Sequence, residues 1–217
     1  LAGVASALVF VYVSGWCLAR LSSLGAPSLA GIIYVGPGLG IAVSGFAATA
    51  MVAYGMRAAI AWAVFALLAL ALTALAWPQL HGVATVSAAA RADDDHPRRR
   101  TIAAFTLAYG LAGFGYIVTA TFLPVIARQA LPDSIWLDLF WPIFGIGVSV
   151  GALLTVRVPA RWDRRHLLMG CYGMQAAGVL LSVGWPTLAG FALGSLLLGL
   201  PFTAITLFAM QEARQIG

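Results

Sequence analysis

Phenol and hydroxyl groups are the side chains in the apolar stretches of this chain that could contact a ligand. Tyr109 and Tyr116 are seven residues apart, about two helical turns, so a helix presents both on one face with Thr119 about one turn further on. We expect this tyrosine face to contact a small-molecule solute. The other polar candidates at similar depth are Tyr12, Tyr34, Ser149, Thr203 and Thr206. The alternative interpretation of each hydroxyl is packing, through a bond to its own helix backbone or to a neighbour.

The apolar stretches lack the residues that catalysis or metal binding would need. Residues 147–151 spell G-x-S-x-G, but that motif requires a strand-to-helix turn and a histidine partner. The string lies inside a long apolar run, whereas His81, His96 and His166 lie in or beside polar breaks. No apolar run holds Asp, Glu or His well inside it, so neither an acid–base pair nor a metal site can be built there. We therefore expect no enzyme activity, no metal and no cofactor.

The composition is that of a membrane protein. Of the 217 residues 62% are hydrophobic and 9% are charged, whereas soluble domains carry about 25% charged residues. This excludes an ordinary soluble enzyme and a disordered chain. Cys17 and Cys171 both lie in apolar runs, which excludes a disulfide scaffold. All 12 basic residues are arginine, so a retinal protein, which needs a lysine, is excluded too.

Seven apolar stretches approach the length of about 20 residues that a helix needs to cross a bilayer. They are Leu1–Ala19, Leu29–Ala53, Ala58–Trp77, Ile102–Ala127, Trp136–Val156, Leu167–Trp185 and Leu188–Met210. Because lipid-exposed loops do not lie within the hydrocarbon, the breaks between them belong at the two membrane faces. The sequence therefore predicts an all-α, polytopic helical membrane protein with seven transmembrane helices.

The arginines are divided unevenly between alternate breaks. One side receives Arg57 and Arg128 alone. The other receives Arg20, Arg91, Arg98, Arg99, Arg100, Arg157, Arg161, Arg164, Arg165 and Arg214. The positive-inside rule places the arginine-rich side in the cytoplasm, so the chain starts outside and ends inside. Since these arginines are spread over several loops, we expect the lipid bilayer and no nucleic acid as a partner.

Proline and glycine interrupt several of these stretches. Pro37 removes a backbone hydrogen bond and is expected to kink the second span, while Gly36 and Gly40 let a neighbouring backbone approach. The pairs Gly147/Gly151 and Gly190/Gly194 favour further close packing of helices. The alternative interpretation of these residues is a kinked, tightly packed bundle without a conformational role.

Two short motifs carry a resemblance to a known superfamily of carriers. Residues 156–165 resemble the loop motif of the major facilitator superfamily, with Arg161, Arg164 and Arg165 in place and with departures at Val156, Ala160 and Asp163. The Gly36, Pro37 and Gly40 string resembles the antiporter motif of the same superfamily, with Ile41 in place of its last glycine. More narrowly, residues 108–124 are similar to the seventh helix of YbfB/YjiJ-type transporters.

The resemblance implies a transmembrane transporter. It implies, as for members of that family, a secondary active carrier of small solutes in the bacterial inner (plasma) membrane. Such carriers work by alternating access, in which two helical halves rock around a central site. A coupling proton is a further partner that this implies. Asp133 and Asp138 near the outer end of the fifth span are expected to be solvated loop residues, so the titrating group is expected outside this sequence.

The resemblance implies twelve helices, and the predicted topology is that of helices four to ten of such a protein. Residues 1–77 are then the end of the N-terminal half, with three spans. Residues 78–101 form the cytoplasmic loop between the halves, and residues 102–217 start the C-terminal half, with four spans. The chain begins with Leu1 rather than Met, and we expect a fragment of a longer protein. The alternative is a seven-span receptor or assembly protein without transport activity.

Overall fold

The computed structural model describes residues 2–80, 96–131, 134, 136–159 and 161–216, and every regular element in these ranges is helical. Three short 3-10 segments, Pro27–Leu29, Trp77–Leu80 and Leu137–Leu139, flank the α-helices. The α-helices are α1 (Ala2–Ser23), α2 (Ala30–Ile33), α3 (Val35–Ala53), α4 (Ala58–Ala76), α5 (His96–Ala130), α6 (Phe140–Val156), α7 (Arg164–Gly184) and α8 (Leu188–Ile216).

Seven segments of the described chain are helical, long and apolar enough to cross a membrane, which confirms the predicted class. They are Gly3–Ser23, Ala30–Ala53, Ala58–Ala76, Arg100–Ala130, Leu137–Val156, Arg164–Gly184 and Leu188–Ala213. The main differences from the predicted bounds lie at arginine-rich ends. α5 begins at His96 rather than Ile102, and α1 continues past Arg20 to Ser23. Polar residues can extend a helix beyond the hydrocarbon, so the loss of hydrophobicity does not mark the helix end.

The second span is interrupted at Tyr34, one turn before Pro37. Tyr34 lies between α2 and α3 with φ −83° and ψ −2°, and its backbone N–H donates to the carbonyl of Gly31 at 3.1 Å. Pro37 has no N–H to donate to the carbonyl of Ile33, so the regular helical ladder cannot continue through this turn. Pro124 and Pro201, by contrast, lie inside continuous helices.

The helices α6 and α8 form the centre of the bundle. Half of the span in α6 and 67% of that in α8 are buried, whereas none of the span in α4 is. A Cβ added to Gly151 would collide with the backbone carbonyl of Leu200 on α8, and one added to Gly199 would collide with that of Phe144 on α6. In lipid such close approach of backbones, rather than exclusion of water, holds helices together.

The other predicted small-residue pair has two different environments. A Cβ on Gly194 would meet the hydroxyl of Ser182 and the carbonyl of Gly178 on α7, so this glycine lets α7 and α8 pack closely. Gly190 instead lies against the carbonyl of Trp185, in the turn before its own helix. Only Gly194 of this pair therefore contributes to packing between helices, whereas Gly190 allows a local turn.

Candidate functional site

An open-sided cavity of about 280 Å³ lies between α1, α5, α7 and α8 at the middle of their length. We call it the central cavity. It is lined by Phe10, Tyr109, Gly110, Ala112, Gly113, Tyr116, Gln175, Phe202, Ile205 and Thr206. Tyr109 and Tyr116, which the spacing places on one face of α5, both line it, and so does Thr206 from α8. Three of the eight predicted solute-contact residues are therefore brought together by the fold.

Hydrogen bonds between helices organise the polar part of this cavity. The phenol oxygen of Tyr109 lies 3.2 Å from Oγ1 of Thr206, and either group can be the donor. The side-chain amide of Gln175 donates through Nε2 to the carbonyl of Ala112 at 3.2 Å. These bonds connect α5 to α8 and to α7. The wall therefore combines an apolar surface with neutral groups that can donate and accept hydrogen bonds.

Gln175 is a cavity residue that the sequence analysis missed. It is an amide in the middle of the sixth span, and polar side chains at that depth commonly bond to neighbouring helices or line a polar space. The search for phenols and hydroxyls passed over it, although its depth in an apolar stretch was a usable signal. Phe10 and Phe202 were missed for another reason, because a phenylalanine in a membrane helix gives no sign of which space it faces.

Tyr116 separates the central cavity from a smaller one. Its ring centroid lies 4.4 Å from that of Phe202 and 5.5 Å from that of Phe144. On the other side of the Tyr116 side chain is a cavity of about 20 Å³, which Trp141 and Ser195 also line. The Ser195 hydroxyl is buried and has no hydrogen-bond partner among the described residues. Tyr116 therefore lines both cavities.

Two of the predicted polar residues bond to their own helices. The Thr119 hydroxyl donates to the carbonyl of Gly115 at 2.9 Å. The Ser149 hydroxyl donates to the carbonyl of Gly145 at 3.2 Å and also lies 3.5 Å from that of Val35. This is the packing role that the sequence left open for hydroxyls in spans.

The remaining polar candidates lie apart from the central cavity. Tyr34 is buried, and its phenol donates to the sulfur of Met210 at 3.7 Å. Thr203 is fully buried on α8, with no partner for its hydroxyl among the described residues. Tyr12 is 73% exposed on α1. Tyr34 thereby links the second span, which the sequence assigns to the first half, to α8, which it assigns to the second half.

A seam of glycines joins the second span to α6. Gly38 is its centre, because a Cβ there would collide with the Ser149 hydroxyl and lie 2.5 Å from the Ser149 backbone nitrogen. A Cβ on Gly145 would in turn lie 2.5 Å from the backbone nitrogen of Ala42. Gly31 and Gly45, each seven residues from Gly38, meet α6 as well. We call Gly31, Gly38 and Gly45, with their contacts on α6, the glycine seam.

The two glycines of the antiporter-like string are not in this seam. A Cβ on Gly36 or on Gly40 would meet nothing within 4 Å. The seam glycines repeat every seven residues, so they share one face of the helix, and Gly36 and Gly40 point elsewhere. Gly36 and Gly40 therefore belong to the same helix but not to its contact with α6.

Charged side chains join α7 to the end of α8. The Arg165 guanidinium donates through Nε to Oε1 of Glu212 at 2.9 Å, and the Glu212 side chain is only 7% exposed. Arg164 donates through Nε to the side-chain oxygen of Gln211 at 2.8 Å. Arg161 is exposed. The sequence analysis missed Glu212 because it lies two residues beyond the predicted end of the seventh span. A carboxylate at that position is expected to be exposed to solvent.

Asp138, near the start of the fifth span, lies at the opposite end of the bundle. The Asp138 side chain is 42% exposed and accepts a hydrogen bond from Arg128 at 3.4 Å. Asp133, Ala160 and residues 81–95 of the predicted inter-half loop lie outside the described residues. Within the described ranges, no three or more His, Cys, Asp or Glu side chains are grouped so that they could hold a metal ion.

Comparison with known proteins returned one family. A protein-family model described as "Uncharacterised MFS-type transporter YbfB" matches residues 1–217, the whole chain. Searches of curated proteins and of solved structures found no match. The family match agrees with the resemblance seen in the motifs, and it does not favour the receptor or assembly-protein alternative.

Proposed function

We propose, because this chain belongs to the family of uncharacterised MFS-type transporters described by YbfB, that it forms part of a secondary active carrier for a small solute. The observation that supports this most directly is the central cavity. It lies at the middle depth of four membrane-spanning helices and is lined by groups that can hold a solute. Carriers of this kind bind their solutes near the bilayer midplane, between two helical repeats.

The proposed carrier has an apolar cluster at its arginine-rich end. Leu18 of α1, Tyr34 between α2 and α3, and Phe208 of α8 are buried in it. The bond from Tyr34 to Met210 adds a link within the same region. A change of access at this end requires these contacts to separate.

The division into halves follows the predicted boundaries. Residues 1–77 and 102–217 belong to two helical halves of a longer carrier, and residues 78–101 connect them in the cytoplasm. The glycine seam then lies between the halves, because α3 belongs to the first and α6 to the second. An interface of backbone against backbone has few long side chains to rearrange, which suits a surface that must slide or rock.

Removal of the tyrosine hydroxyls tests the solute site. In the full-length protein, Tyr109→Phe and Tyr116→Phe are expected to raise KM for the transported solute by about two- to tenfold, the value of one hydrogen bond. Tyr109 loses its contact with Thr206. The measurement is uptake or efflux of a solute first identified by a growth or toxicity screen of an overproducing strain. Tyr54→Phe is the matched control, because Tyr54 is 87% exposed at the end of α3. Unchanged transport in both variants would mean that the tyrosine face only packs.

The orientation in the bacterial inner membrane is tested by cysteine labelling. In a full-length protein without Cys17 and Cys171, single cysteines are placed at Ser23, after α1, and at Tyr54, after α3. A membrane-impermeant maleimide applied to intact spheroplasts is expected to label Tyr54→Cys at once and Ser23→Cys only after permeabilisation, since arginine-rich ends stay inside. The reverse pattern would overturn the orientation, while leaving the number of spans unaffected.

A further inference from the structure

We propose that the central cavity selects a neutral aromatic solute over cationic and anionic solutes of the same shape. This inference rests on the proposed transport function and names the substrate class for the same site. It is carried by the absence of charge in the described lining, by the rings in the wall and by the polar groups among them.

The described lining of the central cavity holds no ionisable acid or base apart from its two tyrosines. Along α8 the nearest carboxylate, Glu212, lies six residues beyond Thr206, about 9 Å along the helix axis. It is already paired with Arg165 at 2.9 Å. Arg100 lies nine residues before Tyr109 on α5, about 14 Å along its axis. A charged solute would lose part of its hydration against this lining without gaining a counter-charge from it, which is unfavourable.

Aromatic rings from three helices contribute to the wall. Phe10 comes from α1, Tyr109 and Tyr116 from α5, and Phe202 from α8. The rings of Tyr116 and Phe202 are tilted by 45° at 4.4 Å between centroids. Rings prefer offset or edge-to-face neighbours, so a planar solute ring can contact these side chains in either arrangement.

The polar groups favour a solute with a single N–H or O–H group rather than a hydrocarbon. The hydroxyls of Tyr109 and Thr206 share one hydrogen bond at 3.2 Å, which leaves further donor and acceptor capacity between them. The Gln175 amide uses Nε2 for the carbonyl of Ala112, and its side-chain oxygen is an additional acceptor.

Probes with the same ring and different charge test this selection. The full-length protein in lipid nanodiscs is titrated with labelled indole and tryptophol, which are neutral, with tryptamine, which is cationic at pH 7, and with indole-3-acetate, which is anionic. Empty nanodiscs correct for partition into lipid. Indole and tryptophol are each expected to bind with a Kd at least about tenfold below those of both charged probes, a difference of about 1.4 kcal/mol. Tryptophol has the size of tryptamine, so this comparison isolates charge from size. Equal or tighter binding of either charged probe would overturn the proposal.

Variants locate the binding in the central cavity. Thr206→Val keeps the shape of the side chain and removes its hydroxyl, and it is expected to weaken indole binding by about two- to tenfold. Gln175→Leu is expected to weaken it similarly. Thr73→Val is the matched control, because Thr73 is an exposed α4 residue that bonds only to the carbonyl of Ala69 in its own helix. Unchanged indole binding in Thr206→Val and Gln175→Leu would place the site elsewhere and overturn the proposal.

Flux measurements in proteoliposomes distinguish this proposal from the proposed function. If the full-length protein carries out transport of a charged solute and binds no indole, the transport function stands and the substrate class is wrong. If indole binds with the expected selectivity but the protein moves no solute, the neutral site stands and the transport function is wrong.

Discussion

Gly38→Leu is expected to abolish folded protein in the membrane, whereas Gly40→Leu is expected to leave it intact. A side chain at Gly38 must displace the backbone of α6 at Ser149, where an added Cβ would lie only 2.5 Å from the backbone nitrogen. Neither partner can yield by rotating a flexible side chain, because the contact is with main-chain atoms. The two helices must therefore separate, and in lipid no hydrophobic force replaces the lost packing.

The control substitution separates packing from helix propensity. Glycine to leucine at either position improves the intrinsic helix propensity by up to about 1 kcal/mol, so propensity alone would stabilise both variants. Gly40 has open space around it, and only Gly38 meets α6. The measurement is the yield and thermal stability of detergent-solubilised full-length protein, followed by transport. If Gly38→Leu is as stable as Gly40→Leu, then α3 and α6 do not pack as described.

The glycine seam has a second side that should respond in the same way. A Cβ on Gly145 would lie 2.5 Å from the backbone nitrogen of Ala42 and 2.8 Å from the carbonyl of Gly38. Gly145→Leu is therefore expected to fail like Gly38→Leu. If the Gly145→Leu variant had the yield and thermal stability of the wild type, the two substitutions would affect different interfaces.

Reversal of the charge at Glu212 is the second large effect that we expect. Glu212→Arg puts a cation into a site where the carboxylate is almost fully buried beside Arg165, with Arg164 on the same turn of α7. Like charges at close range repel, and the buried position of residue 212 limits the hydration of the new guanidinium, so α8 should detach from α7 at this end. We expect low stability and little transport from this variant.

The double exchange provides the decisive comparison. Arg165→Glu alone should also be harmful, because it places two carboxylates together, whereas Arg165→Glu with Glu212→Arg restores an opposite-charge pair. The double variant is expected to recover part of the stability and transport that each single variant loses. Arg20→Glu is the control for charge at this end, since Arg20 is exposed at the end of α1 and lies outside the loop motif. A double variant no better than either single one would show that the pair does not hold α7 to α8.

The arrangement of the site was predicted in part from the sequence. The spacing of Tyr109 and Tyr116 placed them on one helix face, and they line one cavity. The same reasoning treated Tyr34, Thr203 and Ser149 as equivalent candidates, yet they lie in other environments. Spacing identifies which residues of one helix share a face, but it does not tell which other helix that face meets.

The glycines illustrate the same limit. The sequence pointed to Gly36 and Gly40 because of their string with Pro37, whereas the contact with α6 uses Gly31, Gly38 and Gly45. In a soluble helix the apolar stripe reveals the packed side. Here every side of the helix is apolar, so periodicity of hydrophobicity cannot distinguish lipid from protein neighbours.

The sequence by itself determined the class, the number of spans and the family motifs of this protein, because these depend on quantities local to each segment. Transfer of about 20 apolar residues into lipid is favourable wherever they occur, and charge bias at their ends sets an expected orientation. Only the tertiary structure decided which groups meet: Tyr109 with Thr206, Gln175 with Ala112, and Glu212 with Arg165. Those contacts depend on how helices distant in sequence are rotated against each other. That rotation is set by close packing of backbones at glycines, which no single segment specifies.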